Sequence, residues 1–554
     1  MNSRLKTGHL ILIFAMAALP FAATFAFYYP DERHYSDGAL GMLKDHDWLI
    51  PKTAAGEPRF QKPPVAYWAV AASYAIFGVN VIASRLPFLL ASCGTLFLTF
   101  RLARKLTGNP ETALVAAVVL AAHPQFFLCS IRSIPDALLV FFTTLSAFGF
   151  LRLIIFEEFC AGAFWMAYGG AAGAVLSKGL LGIVIIGFAW AFFILKNRSW
   201  RAVKKIIHFP IFIASIIFAG SWFACFFFKE GAAAFGGFFS DQVTGNIHGH
   251  FWSPLARAPQ FARILFFDFL PWSATAIEFL ARRKNLKAGA VPPLANNFIV
   301  AWTIVLVLGF ALGANVSPRY LLPAAPLFAI LIADCVQRSE SVRLFFSVSR
   351  VLKIILAALV LADASMFYVD SQWPLPTTVL TLTCVLFLFV IVVLALGALW
   401  RKSIPTAQAL GLAILLFWPM LFFATTPVLL PDRSQQIVSV LKKTEISRSK
   451  PILFVGNVQL ASRTQVCLGK DWTLTQQAVT PLRKFNFDET RNFDTVLLPE
   501  EDVSFFENGG WKIRVAAANF AAPSAKEIWQ ALKSRNLPEM LSRHTQKIIL
   551  ATRD

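Results

Sequence analysis

Charge is scarce in this sequence, and acidic charge is scarcest. Asp, Glu, Lys and Arg together make up 15% of its 554 residues, and 31 acids stand against 51 bases. Hydrophobic residues reach 57% and the mean hydropathy is +0.61, which excludes a soluble protein because a fold of this size could not bury so much apolar surface. The seven cysteines show neither a disulfide framework nor a metal-ligand spacing: six lie in or beside apolar segments and Cys467 stands alone in the tail. No Gly-rich strand-to-helix fingerprint is present, so no nucleotide-sugar site is evident. No internal repeat is visible, which argues against a transporter built from inverted halves. The first apolar run is followed by Tyr28-Tyr29-Pro30 and not by a small-residue cleavage site, as expected for a retained span.

What remains is a polytopic α-helical membrane protein of about thirteen spans. A span takes about 20 apolar residues, and the candidates are 8–28, 83–106, 111–131, 135–156, 162–177, 179–197, 206–228, 260–281, 296–313, 319–336, 351–369, 374–399 and 406–427. Residues 66–78 are too short to cross and read as an interfacial helix. The net charge of +20 is spread over alternate connections, from Arg4 and Lys6 to Arg401 and Lys402. This is the positive-inside pattern, and it puts the N-terminus inside and the 29–68 loop and tail outside. Composition turns mixed-polar after residue 430, with β-type runs at 452–457, 495–499, 512–518 and 547–553 and helical patterns at 433–443 and 524–543. The expected organisation is a transmembrane domain over 1–430, with outer loops 29–68 and 229–259, and a small α/β domain over 431–554.

The chemistry-bearing residues collect in outer connections. Asp31 and Glu32 end the first span and are followed by Arg33, His34, Tyr35 and Asp37; a carboxylate pair there can orient an acceptor, act as a base or simply solvate a helix end. Lys62 sits in RFQKPP, where two prolines stiffen the backbone around a point charge suited to phosphate. Asp136 follows a proline at the start of the fourth span, where helix capping also favours an acid. Lys178 interrupts apolar sequence at a hairpin between spans, and ionisable groups at membrane depth are costly and usually functional. His248 and His250 have i, i+2 spacing: on a strand they could share a metal, a weak signal without a third ligand, and in a loop they could contact substrate, stack on Phe251 and Trp252 or simply be solvated. Arg319 and Tyr320, at the mouth of the tenth span, can clamp a phosphate or anchor the interface.

The segments DERHYSDGALGMLKDHDWLIPKTAAGEPRFQKPPVAYW, FGVNVIASRLPF, SIPDALL, LSKG and RYLLPAAPLFAILIA together resemble the GT-C superfamily of polyprenyl-phosphate-sugar-dependent glycosyltransferases. The likeness is to bacterial lipid A aminoarabinose transferases and the protein mannosyltransferase family, and it covers about residues 8–340. It implies a GT-C fold with a periplasmic C-terminal domain, in the bacterial inner membrane. The activity implied is transfer of a sugar from undecaprenyl phosphate to lipid A or another lipopolysaccharide acceptor, with inversion. It also implies catalytic roles for Asp31 and Glu32, a donor cavity lined by Tyr35, a phosphate contact for Lys62, and a polar cavity completed by Asp136, Lys178, Arg319 and Tyr320. His248 or His250 falls where a histidine of the family can help bind a divalent metal. Two positions depart from the aminoarabinose transferases: Gln61 replaces an acid that can ligate zinc, and Arg59 replaces an aromatic residue. A neutral amide is a poor zinc ligand. The rival readings are a protein O-mannosyltransferase-like enzyme with another sugar or acceptor and, in a different class, a lipid-linked-sugar flippase.

Overall fold

The computed structural model describes residues 6–24, 31–53, 58–179 (60 excepted), 181–240, 253–273 (271 excepted), 289–311, 317–338, 411–415 (413 excepted), 433–456 (445 and 447–449 excepted), 458–477, 492–506, 511–520, 530, 534 and 545–553. Its larger part is a bundle of apolar helices: α1 (Thr7–Thr24), α2 (Glu32–Asp45), α3 (Val65–Phe77), α4 (Val81–Thr107), α5 (Pro110–Ala121), α6 (Pro124–Ser130), α7 (Asp136–Ile154), α8 (Ala161–Phe164), α9 (Gly170–Lys178), α10 (Leu181–Asn197), α11 (Phe209–Phe239) and α12 (Ser253–Asp268). Helices α13 (Pro293–Ala311) and α14 (Ala325–Arg338) follow. Among the described residues, four helices are long and apolar enough to cross a membrane, and five if the bent pair α5–α6 is one span.

Sequence chemistry explains where the helices start, stop and bend. Asn80 caps α4 by accepting from the Ala83 amide at 2.8 Å, and Gly108 ends it in a left-handed turn (φ 67°) that glycine adopts without strain. The helix between them has 27 residues, about 40 Å at 1.5 Å per residue. Asn109 then caps α5, with Pro110 in its first turn. All residues from Thr112 to Ala121 are buried, because α5 is apolar on every face and packs between α4 and α14. The expected span 111–131 breaks at His123-Pro124, where the axis bends by 70°. The expected span 162–177 is composite: α8 runs into a π-helical turn, Trp165–Gly169, and then into α9. There Tyr168 donates to the Ile206 carbonyl at 2.7 Å and accepts from Trp190 at 3.0 Å.

Close approach of backbones holds this region. A Cβ at Gly149 in α7 would lie 2.2 Å from the Ala167 amide, and one at Gly182 in α10 would lie 2.2 Å from the Ala171 carbonyl. Small residues at helix contacts take the place that the hydrophobic effect cannot fill inside a bilayer.

The tail forms a five-stranded sheet in the order β2-β1-β3-β5-β4, from β1 (Ile452–Val455), β2 (Leu474–Gln477), β3 (Thr495–Pro499), β4 (Lys512–Phe520) and β5 (Thr545–Thr552). β2, β1 and β3 are parallel; β5 runs antiparallel to both β3 and β4. The expected helix at 433–443 is α15 (Arg433–Lys443), and α16 (Val458–Leu468) was not read from the sequence. Neither was β2, whose LTQQ is too short and polar to register as a strand. The candidate spans 351–369 and 374–399, most of 406–427 and most of the pattern at 524–543 lie outside the described residues.

Replacing Gly149 with Ala forces α7 away from the π-turn. Overpacking of this kind costs about 1–3 kcal/mol, so Gly149→Ala should lower the thermal midpoint of purified protein and its yield of monodisperse particles. A Gly8→Ala control, where nothing lies within 4 Å of the added carbon, should leave both unchanged.

Candidate active site

The two acids of the first loop part company in the fold. Glu32, in the first turn of α2, is fully buried with Arg85 of α4. Arg85 donates through Nε to Oε1 and through Nη2 to Oε2, both at 3.0 Å. The Ser133 amide also donates to Oε1 at 2.8 Å, and Arg85 Nη1 reaches the Phe21 and Ala22 carbonyls at 3.3 and 3.4 Å. A forked guanidinium matched to a carboxylate is the strong form of ion pair. Glu32, expected beside Asp31 as a catalytic carboxylate, therefore has its contacts with the frame of the site: the end of α1, α4 and the segment leading into α7. Arg85 was not singled out in the sequence; its signal was an arginine within the apolar run IASRLPF.

Asp31, one residue earlier at the N-cap of α2, is 44% exposed and accepts from Arg319 Nη1 at 3.2 Å. Arg319 stands on a 3-10 turn, Pro318–Leu321, and the same Nη1 lies 3.9 Å from Asp136 Oδ2. Asp136, in the first turn of α7, accepts from Lys178 Nζ at 2.5 Å. Lys178 closes α9, and Gly179 (φ 98°) turns the chain immediately after it. Residues 31, 319, 136 and 178 thus form one alternating row of carboxylates and cations. Tyr320 supports it: Lys178 Nζ and Arg319 lie 5.3 and 5.9 Å from its ring centroid, and the ring stacks on Phe310 at 5.2 Å.

Lys62 approaches the row from the other side. Burial, and then Lys178 beside it, lower its ammonium to about 8, while Asp136 and Asp31 act in the opposite direction. Tyr35 is buried with its ring 4.9 Å from that of Tyr67. A Cβ on Gly38 would meet the Tyr67 ring at 2.7 Å, so α2 can lie this close to α3 only with glycine there. The loop above is pinned to α3 and α11: Trp68 donates to the Trp48 carbonyl at 2.7 Å, Trp222 to that of Leu49 at 2.9 Å, and Lys229 to Asp47 at 2.8 Å. His34 is held neutral near neutrality, its imidazolium lowered to about 4 by burial and by Arg59 and Arg33. Arg33 and Arg59 were not assigned to the site from sequence.

The structure thus gathers Asp31, Tyr35, Lys62, Asp136, Lys178, Arg319 and Tyr320 at one end of the bundle. His248 and His250 lie outside the described residues. Among the described residues no three His, Cys, Asp or Glu side chains converge. Asp31 and Asp136 already carry cationic partners and Gln61 is an exposed amide, a donor set that does not fit a divalent ion.

The same arrangement of helices, with a sheet domain appended, occurs in ArnT from Cupriavidus metallidurans solved with undecaprenyl phosphate: the TM-score is 0.69 at 16% identity, over 99% of this chain and 98% of that one. The chain has the GT-C fold. Residues 61–222, which include Lys62, Asp136 and Lys178, match the family model of dolichyl-phosphate-mannose-protein mannosyltransferase. An undecaprenyl phosphate-alpha-4-amino-4-deoxy-L-arabinose arabinosyl transferase of Pseudomonas paraeruginosa is 25% identical over 356 residues, 61% of each chain. An uncharacterized protein of Aquifex aeolicus is 30% identical over 314 residues, 56% of this chain and 59% of the relative. The GT-C chain thus spans about three-fifths of the length of these two relatives.

Two outcomes follow from this geometry. Removing one member of a buried ion pair strands the other and costs about 3–5 kcal/mol. Glu32→Gln and Arg85→Met should each destabilise by that order in a thermal unfolding series, and the double variant by clearly less than their sum. Lys62 is a cation below about 8 and neutral above it. The affinity of wild type for a phosphate-bearing ligand should therefore fall as pH rises through that value, and Lys62→Arg should move the fall to higher pH in a binding titration.

Proposed function

We propose that this chain is a membrane glycosyltransferase that moves a sugar from undecaprenyl phosphate to lipid A or another lipopolysaccharide acceptor, with inversion. In this reading it is a multi-pass protein of about thirteen spans in the bacterial inner membrane, with the Asp31 site and the 431–554 domain on the periplasmic side. The observation that carries it is the alternating row Asp31–Arg319–Asp136–Lys178 beside Lys62, at one end of an apolar bundle. Such a row offers three cations to a phosphate and one accessible carboxylate to an acceptor. The likeness to transferases whose names specify polyprenyl phosphate sugars supports the same reading.

In the reaction an acceptor oxygen attacks the anomeric carbon, and the bond from that carbon to the phosphate oxygen breaks with its electron pair staying on the phosphate. Charge therefore grows on the leaving phosphate, where Lys62, Lys178 and Arg319 neutralise it; fixed cations aimed at developing charge are the larger part of such catalysis. Asp136, buried and bound to Lys178, holds that ammonium in place. Asp31 takes the proton of a hydroxyl acceptor, or positions an acceptor already ionised. Because Arg319 is its partner at rest, a phosphate drawing on Arg319 leaves Asp31 free to receive the acceptor.

Asp31→Asn should lower turnover by roughly 10²–10⁴-fold if Asp31 is the base, with undecaprenyl phosphate binding retained. Mass spectrometry of lipid A and core from cells with wild type, Asp31→Asn or no protein tests the acceptor. A sugar-sized mass present only with wild type is the expected result; identical profiles in all three would sink the lipopolysaccharide assignment.

A further inference from the structure

Two arginines beside Asp31 take no part in the reaction as derived. Arg33 stands in the first turn of α2, and the Arg59 amide donates to the Pro51 carbonyl at 2.8 Å beside a β-bridge between Lys52 and Pro58. The Nε atoms of both are buried and have no hydrogen-bond partner among the described residues. The two guanidiniums act on each other unfavourably, and Arg59 also acts on Lys62 and His34. Lys178 and Arg319 have Asp136 and Asp31 as partners at 2.5 and 3.2 Å. The carboxylate that acts on both Arg33 and Arg59 is Asp37. Asp37 accepts from Ser462 of α16 at 2.6 Å, and burial under that helix pushes its carboxyl up to about 7, so near neutrality it is only partly ionised.

Among the described residues the cations of this corner, Arg33, Arg59, Lys62, Lys178 and Arg319, outnumber its carboxylates, Asp31, Asp37 and Asp136. Two half-buried guanidiniums that repel each other, each with a buried Nε that has no partner among the described residues, suit an anion. One phosphodiester on the donor is already served by the lysines and Arg319. The relative named for a 4-amino-4-deoxy sugar handles a group that is a cation near neutrality, and such a group would be repelled here.

We infer that Arg33 and Arg59 form an anion subsite beside Asp31 for a second negatively charged group of the substrates, a carboxylate on the transferred sugar or a phosphate on the acceptor, and that it discriminates against a cationic amino sugar. The inference rests on the transferase reading above and narrows its substrate class. Arg33 and Arg59 act as specificity determinants, since neither is needed to stabilise the leaving phosphate.

The test uses the full chain in lipid nanodiscs with three polyprenyl-phosphate donors matched except for sugar charge: uronosyl, neutral hexosyl and 4-aminopentosyl. Each is paired with lipid A bearing or lacking its phosphates, for wild type, Arg33→Gln, Arg59→Gln and Arg59→Lys. Wild type should favour a partner carrying the second anion by roughly ten- to hundredfold in kcat/KM, the range of a charge-assisted hydrogen-bonded pair. The glutamine variants should lose that preference, Arg59→Lys should keep part of it, and all should bind undecaprenyl phosphate within about threefold of wild type. A preference that follows the donor assigns the sugar carboxylate, and one that follows the acceptor assigns its phosphate. Equal use of neutral and anionic partners by wild type, or a preference unchanged in Arg59→Gln, would overturn the inference. If no pair turns over, the transferase reading fails, and the subsite is then judged by glucuronate and inorganic phosphate. Protection of wild type against heating by either, lost in Arg59→Gln, upholds the subsite, and no protection refutes it.

Discussion

The buried pair of Glu32 and Arg85 is the constraint from which the rest of the site takes its shape. Two charges at zero exposure inside an apolar bundle are tolerable only when their geometry is forked and their remaining valences are filled. Here the Ser133 amide and the carbonyls of Phe21 and Ala22 fill them. The pair therefore fastens three pieces of chain at one point: the exit from α1, the first turns of α4 and the approach to α7. Asp31 lies one residue from Glu32 and Asp136 three residues from Ser133. Asp31 and Asp136 thus hang from the same knot, which sets the distance that Arg319 bridges.

From that knot the site divides into a buried and an accessible half. Asp136 and Lys178 are held at the ends of α7 and α9, backed by the close packing around Gly149 and the π-turn. Asp31 and Arg319 stand on a helix cap and a short turn, where small movements cost little. Asp136 is thus the buried end of the row and Asp31 its exposed end. The C-terminal sheet domain adds a third contact through Ser462 and Asp37 on α2, so the helix carrying Asp31 is touched from both the bundle and the tail.

Much of this was legible beforehand, and the parts that were not share a cause. Asp136, Lys178 and Arg319 stood out because each interrupts apolar sequence or follows a proline, where a charge needs a reason, and Lys62 because two prolines follow it. Arg33 and Arg59 did not, because they sit in a stretch already dense with charge, where one more cation reads as solvated. The break at His123-Pro124 and the π-turn after Phe164 were hidden within continuous apolar runs, since hydropathy counts residues and is blind to bends. α16 and β2 were missed because short mixed-polar segments carry no clear period.

By itself the sequence determined the class of the protein: too little charge and too much apolar length for anything but a helical bundle in a membrane, with its ionisable groups concentrated in a few connections. It also determined the capped starts of α4 and α5 and the glycine stop of α4, because those depend on neighbours a few residues away. The tertiary structure alone decided which acid is buried and which stays accessible. Asp31 and Glu32 are adjacent and chemically alike, and no local rule separates them. One faces an arginine 53 positions away across the bundle and disappears into the core, and the other meets an arginine 288 positions away at its open end. Charge partners that far apart in the chain are chosen by packing, and packing is the information a linear reading lacks.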